Sequence, residues 1–280
     1  MAETAFQTQY RDEFIASFEE RQSLLSGCCV TEAVISGNQA TFLVAGSGGA
    51  TAVTRGVNGL IPARADDNTQ LTATLAEWHD LVRKTKFNIF ASQGNQRAIM
   101  QQTTMAVINR KIDADIIAQL DTATIDTGVT ATASLDMVTT GLGALGYAEV
   151  PVEEMDNIFG LVTPGFMAYL QRLREFASKE YVDVPVFGGA FNRKMLRWAG
   201  VNWIRHPNLT GAQTSTEKCY LFHRNAIGHA VDKDGLETPV GYDEEQAYSW
   251  ARASAHMGSK LLQNSGVVQM KHDGSAFALS

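Results

Sequence analysis

The stretch GNQRAIMQQTTMAVINRKIDADIIAQLD, residues 94–121, decides how the chain is read. It contains no proline, its only glycine is Gly94, and Met105, Ile108, Ile112, Ile116 and Leu120 recur at steps of three and four. That spacing lines one side of an α-helix, while Thr103, Asn109, Arg110, Lys111, Asp113 and Asp115 fall mostly off the line. At about 1.5 Å per residue such a helix is roughly 40 Å long, against the usual ~11 to 12 residues, so it can act as the spine of a domain.

Upstream, the pattern is extended. CCVTEAVIS and QATFLVA flank Gly37-Asn38, a pair that suits a two-residue hairpin turn because both residues tolerate positive φ. From Gly46 to about Thr72 the sequence GSGGATAVTRGVNGLIPARADDNTQLT is punctuated by glycine, and Val53, Val57, Leu60 and Ile61 show no helical spacing. A loop of this length inside a domain is commonly functional or anchored from outside, and Arg55, Arg64, Asp66 and Asp67 supply charges for docking. TATLAEWHDLVRKTKFNIFAS then reads as a strand leading into the long helix. Further upstream, residues 8–25 read as a helix with Phe14, Ile15, Phe18 and Leu25 on its apolar face.

Downstream, Ser134 N-caps a helix to Leu145 that Gly146 stops, and Thr163-Pro164 opens another with Phe166, Leu170, Leu173 and Ala177 as its stripe. Asp183–Phe187 reads as a strand, Asn192–Trp198 as a short helix, and VNWIRHP and KCYLFH as further strands. A charged hairpin follows around Asp232–Asp243. The last segment alternates again, AYSWARASAHM and GVVQMKHD forming a late hairpin that needs a cover. The long helix supplies one, so the outer domain is expected to be discontinuous, with a compact α/β unit inserted in it.

With 280 residues and 45% hydrophobic content the chain has enough apolar surface for a real core. A formal net charge of -7 argues against broad wrapping by nucleic acid, which needs clustered Lys and Arg; any DNA contact is expected to be local and weak. No signal peptide and no membrane span are expected, and the protein is expected to reside in the cytosol. In that reducing setting Cys28, Cys29 and Cys219 are read as packing residues.

Few motifs carry chemistry. Gly141, Gly143 and Gly146 spell GLGALG, the letters of a dinucleotide fingerprint, but YAEVPVEE follows where a helix should begin. The glycines are better explained by close packing of a helix. Cys219 and His223 lack a second close pair for zinc, no Gly-x-Ser-x-Gly elbow is present, and Asp113 and Asp115, two apart on a helix, point to different faces. No catalytic constellation, cofactor site or metal site is expected.

The order of parts is itself informative. An amino-terminal arm, a long extended loop, a long helix, a compact α/β unit and closing strands resemble the α+β fold of the major capsid proteins of tailed bacteriophages, the Johnson fold. The wording is similar too: ATFLVAGSGGATAVTRGVNGLIPAR, EWHDLVRKTKFNIFASQGNQR, KCYLFHRNAIGHAV and GSKLLQNSGVVQMKHDG stand in the matching order. The resemblance implies an N-arm over residues 1–38, an extended E-loop over 39–80, a peripheral domain from 81–127 and 245–280 with spine helix 94–121, and an axial domain over 128–244. It implies self-assembly into hexamers and pentamers of an icosahedral virion head around double-stranded DNA, with the E-loop residues Arg55, Arg64, Asp66 and Asp67 at inter-subunit contacts. Some relatives lock the shell by a covalent bond from an E-loop lysine, whereas the first lysine here is Lys84, beyond the loop tip, so a non-covalent shell is expected. The chain begins close to the arm helix, which implies a separate scaffolding protein beside portal and cement partners. An encapsulin-like compartment shell is the nearest alternative, and a soluble nucleotide-binding enzyme a more distant one.

Overall fold

The computed structural model describes residues 22–34, 37–47, 49–64, 67–91, 95–177 and 195–278. In chain order these form β1 (Val30–Val34), β2 (Gln39–Gly46), β3 (Asp67–Thr74), β4 (Ala76–Thr85), α1 (Lys86–Ala91) and α2 (Gln96–Leu120). Then come α3 (Leu135–Tyr147), β5 (Ile158–Val162), α4 (Pro164–Leu170), α5 (Arg174–Ala177), β6 (Met195–Trp198), β7 (Val201–Arg205) and β8 (Glu217–His223). The chain closes with β9 (Ile227–Asp232), β10 (Val240–Asp243), β11 (Tyr248–Leu261) and β12 (Val267–His272).

The spine helix is α2. Asn95 caps it, its side chain accepting from the Ala98 N–H at 3.3 Å. Along its first half Met100, Thr104 and Ile108 are buried, Ile108 packing on Ala253 and Ala255 of β11 beside Trp78 of β4. Along its second half Ile116, Ile117 and Leu120 enter the main core, with Ile112 half-buried at its edge. Met105 departs from the expected stripe and is 37% exposed. It stands three residues before Ile108, a step about 60° short of a full turn, and the first half of α2 is covered along only a narrow line. Asp113, expected on the polar side, is buried.

Among the described residues the strands form two five-stranded sheets and a two-stranded ribbon. In the first sheet β11 is the organiser: it pairs antiparallel with β4 from Tyr248 to Met257, with β10 from Tyr248 to Ala251 and with β9 from Met257 to Leu261. One face of β11 lies against α2, which explains its alternating burial. The second sheet runs β12-β8-β5-β7-β6, with β5 parallel to β7 and the other pairs antiparallel. Its central strand β5, IFGLV, is buried at every position, as a strand covered on both faces must be. Trp203, Phe222, Phe166 and Tyr220 fill the core around it.

Several expectations change. The strands flanking Gly37-Asn38 do not form a hairpin: β1 runs parallel to β9, whereas β2 takes an eight-residue antiparallel register with β3. The turn passes the chain from one sheet to another because a longer partner is available for β2. The terminal strands do not pair either. β12 is buried along most of its length and joins β8, so the spine helix is covered by β11 with β4 beside it and not by a terminal hairpin. Gln269 of β12 links the two regions by donating to the Asp121 and Ala123 carbonyls at 3.1 and 2.8 Å, groups that the end of α2 leaves open. The helix expected from Pro164 to Ala177 breaks after Leu170. Residues 195–198, expected as the end of a helix, are strand β6. The expected strand 183–187 and the expected helix up to residue 21 lie outside the described residues, and 22–25 lead into a single 3-10 turn at Ser26–Cys28.

Candidate assembly surface

β2 and β3 form a two-stranded ribbon, paired from Gln39↔Thr74 to Gly46↔Asp67. Only its root has a core. Ala40, Phe42 and Ala73 are buried with Ala230 of β9, and Val30, Val34, Leu75 and Leu262 pack around them. Farther out the ribbon loses its cover: Leu43 is 70% exposed. Beyond it residues 49–64 have no helix or strand and every one of them is exposed. Val53, Val57, Leu60 and Ile61 lie there, with Val57 fully open to water.

The tip still has local order. The Gly56 N–H donates to the Leu60 carbonyl at 2.9 Å, and the Gly59 N–H to the Gly56 carbonyl at 2.8 Å. Arg55 donates through Nη1 to the Gly59 carbonyl at 3.0 Å, so this guanidinium helps close its own turn. Arg64 is exposed, and Asp67 is exposed at the start of β3. Asp66 lies outside the described residues. Leu43 was missed by the sequence reading, although in QATFLVA it stands next to Phe42 and must therefore face the opposite side of the strand.

At the root, the ribbon meets a cluster of charges. His256 of β11 places Nδ1 3.1 Å from Asp232 Oδ2 and Nε2 3.5 Å from Glu77 Oε1, while His79 lies 2.8 Å from Glu77. The hydrogen bond with Asp232, opposed by partial burial and supported by Glu77, raises the His256 imidazole above its usual value. Hydrogen bonds from His256 and then His79 lower the Glu77 carboxyl. His256, Asp232 and Glu77 border a cavity of ≈ 320 Å³ with Val34, Asn38 and Leu75.

Nothing in this arrangement resembles an active site. GLGALG lies within α3, where a Cβ on Gly141 would come 2.7 Å from Leu221 Cδ1, so the first glycine serves the packing of helix on sheet. Burial pushes the Cys28 thiol up to about 12 and raises Cys29 and Cys219 further, which suppresses any thiolate. Among the described residues no group of three His, Cys, Asp or Glu side chains is placed to hold a metal ion, and no helix is long and apolar enough to cross a membrane.

Solved structures similar to this architecture include phage capsids and the capsid of a GTA particle. The capsid asymmetric unit of cyanophage Pam1 shares 12% identity and covers 98% of each chain at a TM-score of 0.74. A structure from Mycobacterium phage Che8 shares 15%, covering 96% of this chain and 98% of that one at 0.73. The capsid of Ralstonia phage GP4 shares 12%, covering 95% of each at 0.69. At such identities the likeness establishes the fold alone. Among curated proteins no sequence matches. The chain belongs to the phage capsid protein family, which it matches over residues 2–274. It is therefore a structural protein of the bacteriophage head, assembling with copies of itself into the virion capsid.

Proposed function

We propose that residues 39–80 are the arm by which one subunit holds the next in a non-covalent icosahedral shell of hexamers and pentamers around double-stranded DNA. The carrying observation is the bare apolar tip: Val53, Val57, Leu60 and Ile61 stand in water on a segment with no core of its own. Side chains of this kind are stabilised when a second surface covers them. Arg64, Asp66 and Asp67 add ion pairs at that contact, with Arg55 shaping the turn that presents it. The first lysine, Lys84, lies in β4 and donates to Gln96 Oε1 at 2.6 Å, which engages it within its own subunit.

The spine helix with 81–127 and the return segment 245–280 serves as the peripheral domain and 128–244 as the axial domain, except that β12 (Val267–His272), within that return segment, pairs with β8 and so completes the axial sheet. Scaffolding, portal and cement proteins are the further partners, and packaged DNA touches the shell only weakly. The experiment is Val57→Asp with Leu60→Asp. The expected outcome is an unchanged melting temperature for the subunit and no closed shells by electron microscopy; normal shells from the double variant would refute the arm. A ladder of covalent oligomers on a denaturing gel of mature particles would refute the non-covalent shell. DNA in purified particles is the expected cargo, and protein cargo would instead mark a compartment shell.

A further inference from the structure

Halfway along α2 the apolar stripe is interrupted by Asp113, whose carboxylate is 1% exposed. The segment preceding β1 occupies both of its oxygens. Oδ1 accepts from the Ser23 hydroxyl at 2.5 Å and from the Leu25 N–H at 3.2 Å, and Oδ2 accepts from the Leu24 N–H at 3.0 Å. Ser23 Oγ in turn accepts from the Ser26 N–H at 3.1 Å. Hydroxyl and amides thus make a concave seat that an anion fills.

On the other side stands His206, next after β7, with Nε2 3.6 Å from Asp113 Oδ2. Its Nδ1 accepts from the Asn208 N–H at 3.2 Å, which leaves the proton of the neutral ring on Nε2, facing the carboxylate. Burial opposes ionisation of Asp113, but the facing His206 ring and hydrogen bonds from Ser23 and the two leucine amides hold the carboxyl below the usual carboxylate range. A leucine here would have continued the stripe at no desolvation cost, so the charge is explained by what it orients. Farther along the same segment, Arg224 donates through Nε to the Cys29 carbonyl at 3.3 Å, and β1 then locks onto β9.

We propose that Asp113 is a positioning residue for assembly, clamping Ser23–Leu25 against the spine helix and the end of β7 and so fixing the place and direction of the backbone at Ser23. The assembly part rests on the shell reading above; the clamp itself does not.

The test uses the full chain with Asp113→Asn, Ser23→Ala and, as an apolar control, Ile116→Val. An asparagine matches the carboxylate in size but turns a donor toward amides that need an acceptor. Hydrogen exchange on unassembled subunits should show the Leu24 and Leu25 amides of Asp113→Asn exchanging about ten- to a hundredfold faster, as expected for bonds to a charged acceptor. Exchange in α3 and β8 should be unchanged. Ser23→Ala should act on the same amides more weakly, and Ile116→Val should not single them out. In electron micrographs the two polar variants should give open or irregular shells, and the control closed ones. Continued protection of Leu24 and Leu25 in both polar variants would overturn the clamp, and loosened amides with normal shells would overturn its role in assembly. Should Asp113→Asn fail to fold, Ser23→Ala decides alone, because its hydroxyl lies off the helix. Failure of every chain to assemble, wild type included, would count against the shell reading while the exchange data still judged the clamp.

Discussion

The β2–β3 ribbon and the β12-β8-β5-β7-β6 sheet are built from similar strand-forming sequence but stand in opposite surroundings. In the sheet, β5 has no position open to solvent and helices cover its neighbours. In the ribbon, the eight-residue pairing of β2 with β3 buries side chains only at its root. Main-chain hydrogen bonds alone therefore give the ribbon a shape, whereas burial gives the sheet its stability. The sheet holds the subunit together, and the ribbon is left with surface to offer.

The largest effect that would sharpen this contrast comes from the spine helix, whose second half enters the same core as the sheet. Ile116→Asp places an unpaired charge where the side chain is 0% exposed, at a cost of several kcal/mol. Loss of soluble subunit is expected, read from the soluble fraction and gel filtration, and normal shells would show that the helix is not packed as described. A middle-sized effect tests the ribbon root. A Cβ on Gly258 of β11 would lie 2.1 Å from the Thr74 carbonyl oxygen, a backbone atom that cannot step aside. Gly258→Ala should cost about 1 to 3 kcal/mol in denaturant unfolding. Gly143→Ala, at an exposed helical position with open space around it, should instead be neutral or stabilising by up to ~1 kcal/mol. Equal effects at the two glycines would erase the distinction between a tight root and a free surface.

The smallest effect concerns pH. His256 has its pKa raised above 6.5, so its contribution is fully present below 6.5 and is lost as pH rises through the higher folded value. Glu77 and Asp232 are lowered, and their share persists until pH falls through their depressed values, below the ordinary carboxylate range. Melting curves of His256→Gln and wild type should therefore differ most between these limits and converge above the histidine pKa. A gap of constant size at all pH values would assign the cluster no titrating role.

These contrasts explain which features were legible in sequence. Period and caps act locally, so α2, the Ser134 cap of α3 and the Thr163-Pro164 start of α4 could be read directly. The glycine-rich tip was legible because a segment without apolar period cannot build a core. Pairing was not: nothing in CCVTEAVIS or QATFLVA states that the first strand will lie beside residues 228–232 and the second beside 67–74. Nor does GVVQMKHD reveal that its partner is β8, since a doubly covered strand advertises burial but not a neighbour. Asp113 falls off the apolar line of the helix, and nothing in the sequence marks it as buried. Its partners, Ser23 to Leu25 and His206, are almost ninety residues or more away. Met105 shows the reverse error, an apolar letter on the right period where no surface covers it.

The long pairing of β4 with β11 has a mechanical consequence. The ribbon is joined to the body through Leu75 into β4, and β4 is laddered to β11 without interruption from Ala76↔Met257 to Thr85↔Tyr248. A pull directed along β4 loads those rungs together, in shear, rather than opening them one at a time. Tension applied at the tip would thereby be spread over the full strand and passed to the helix above it, so that the thin, core-poor ribbon has a root that resists tearing.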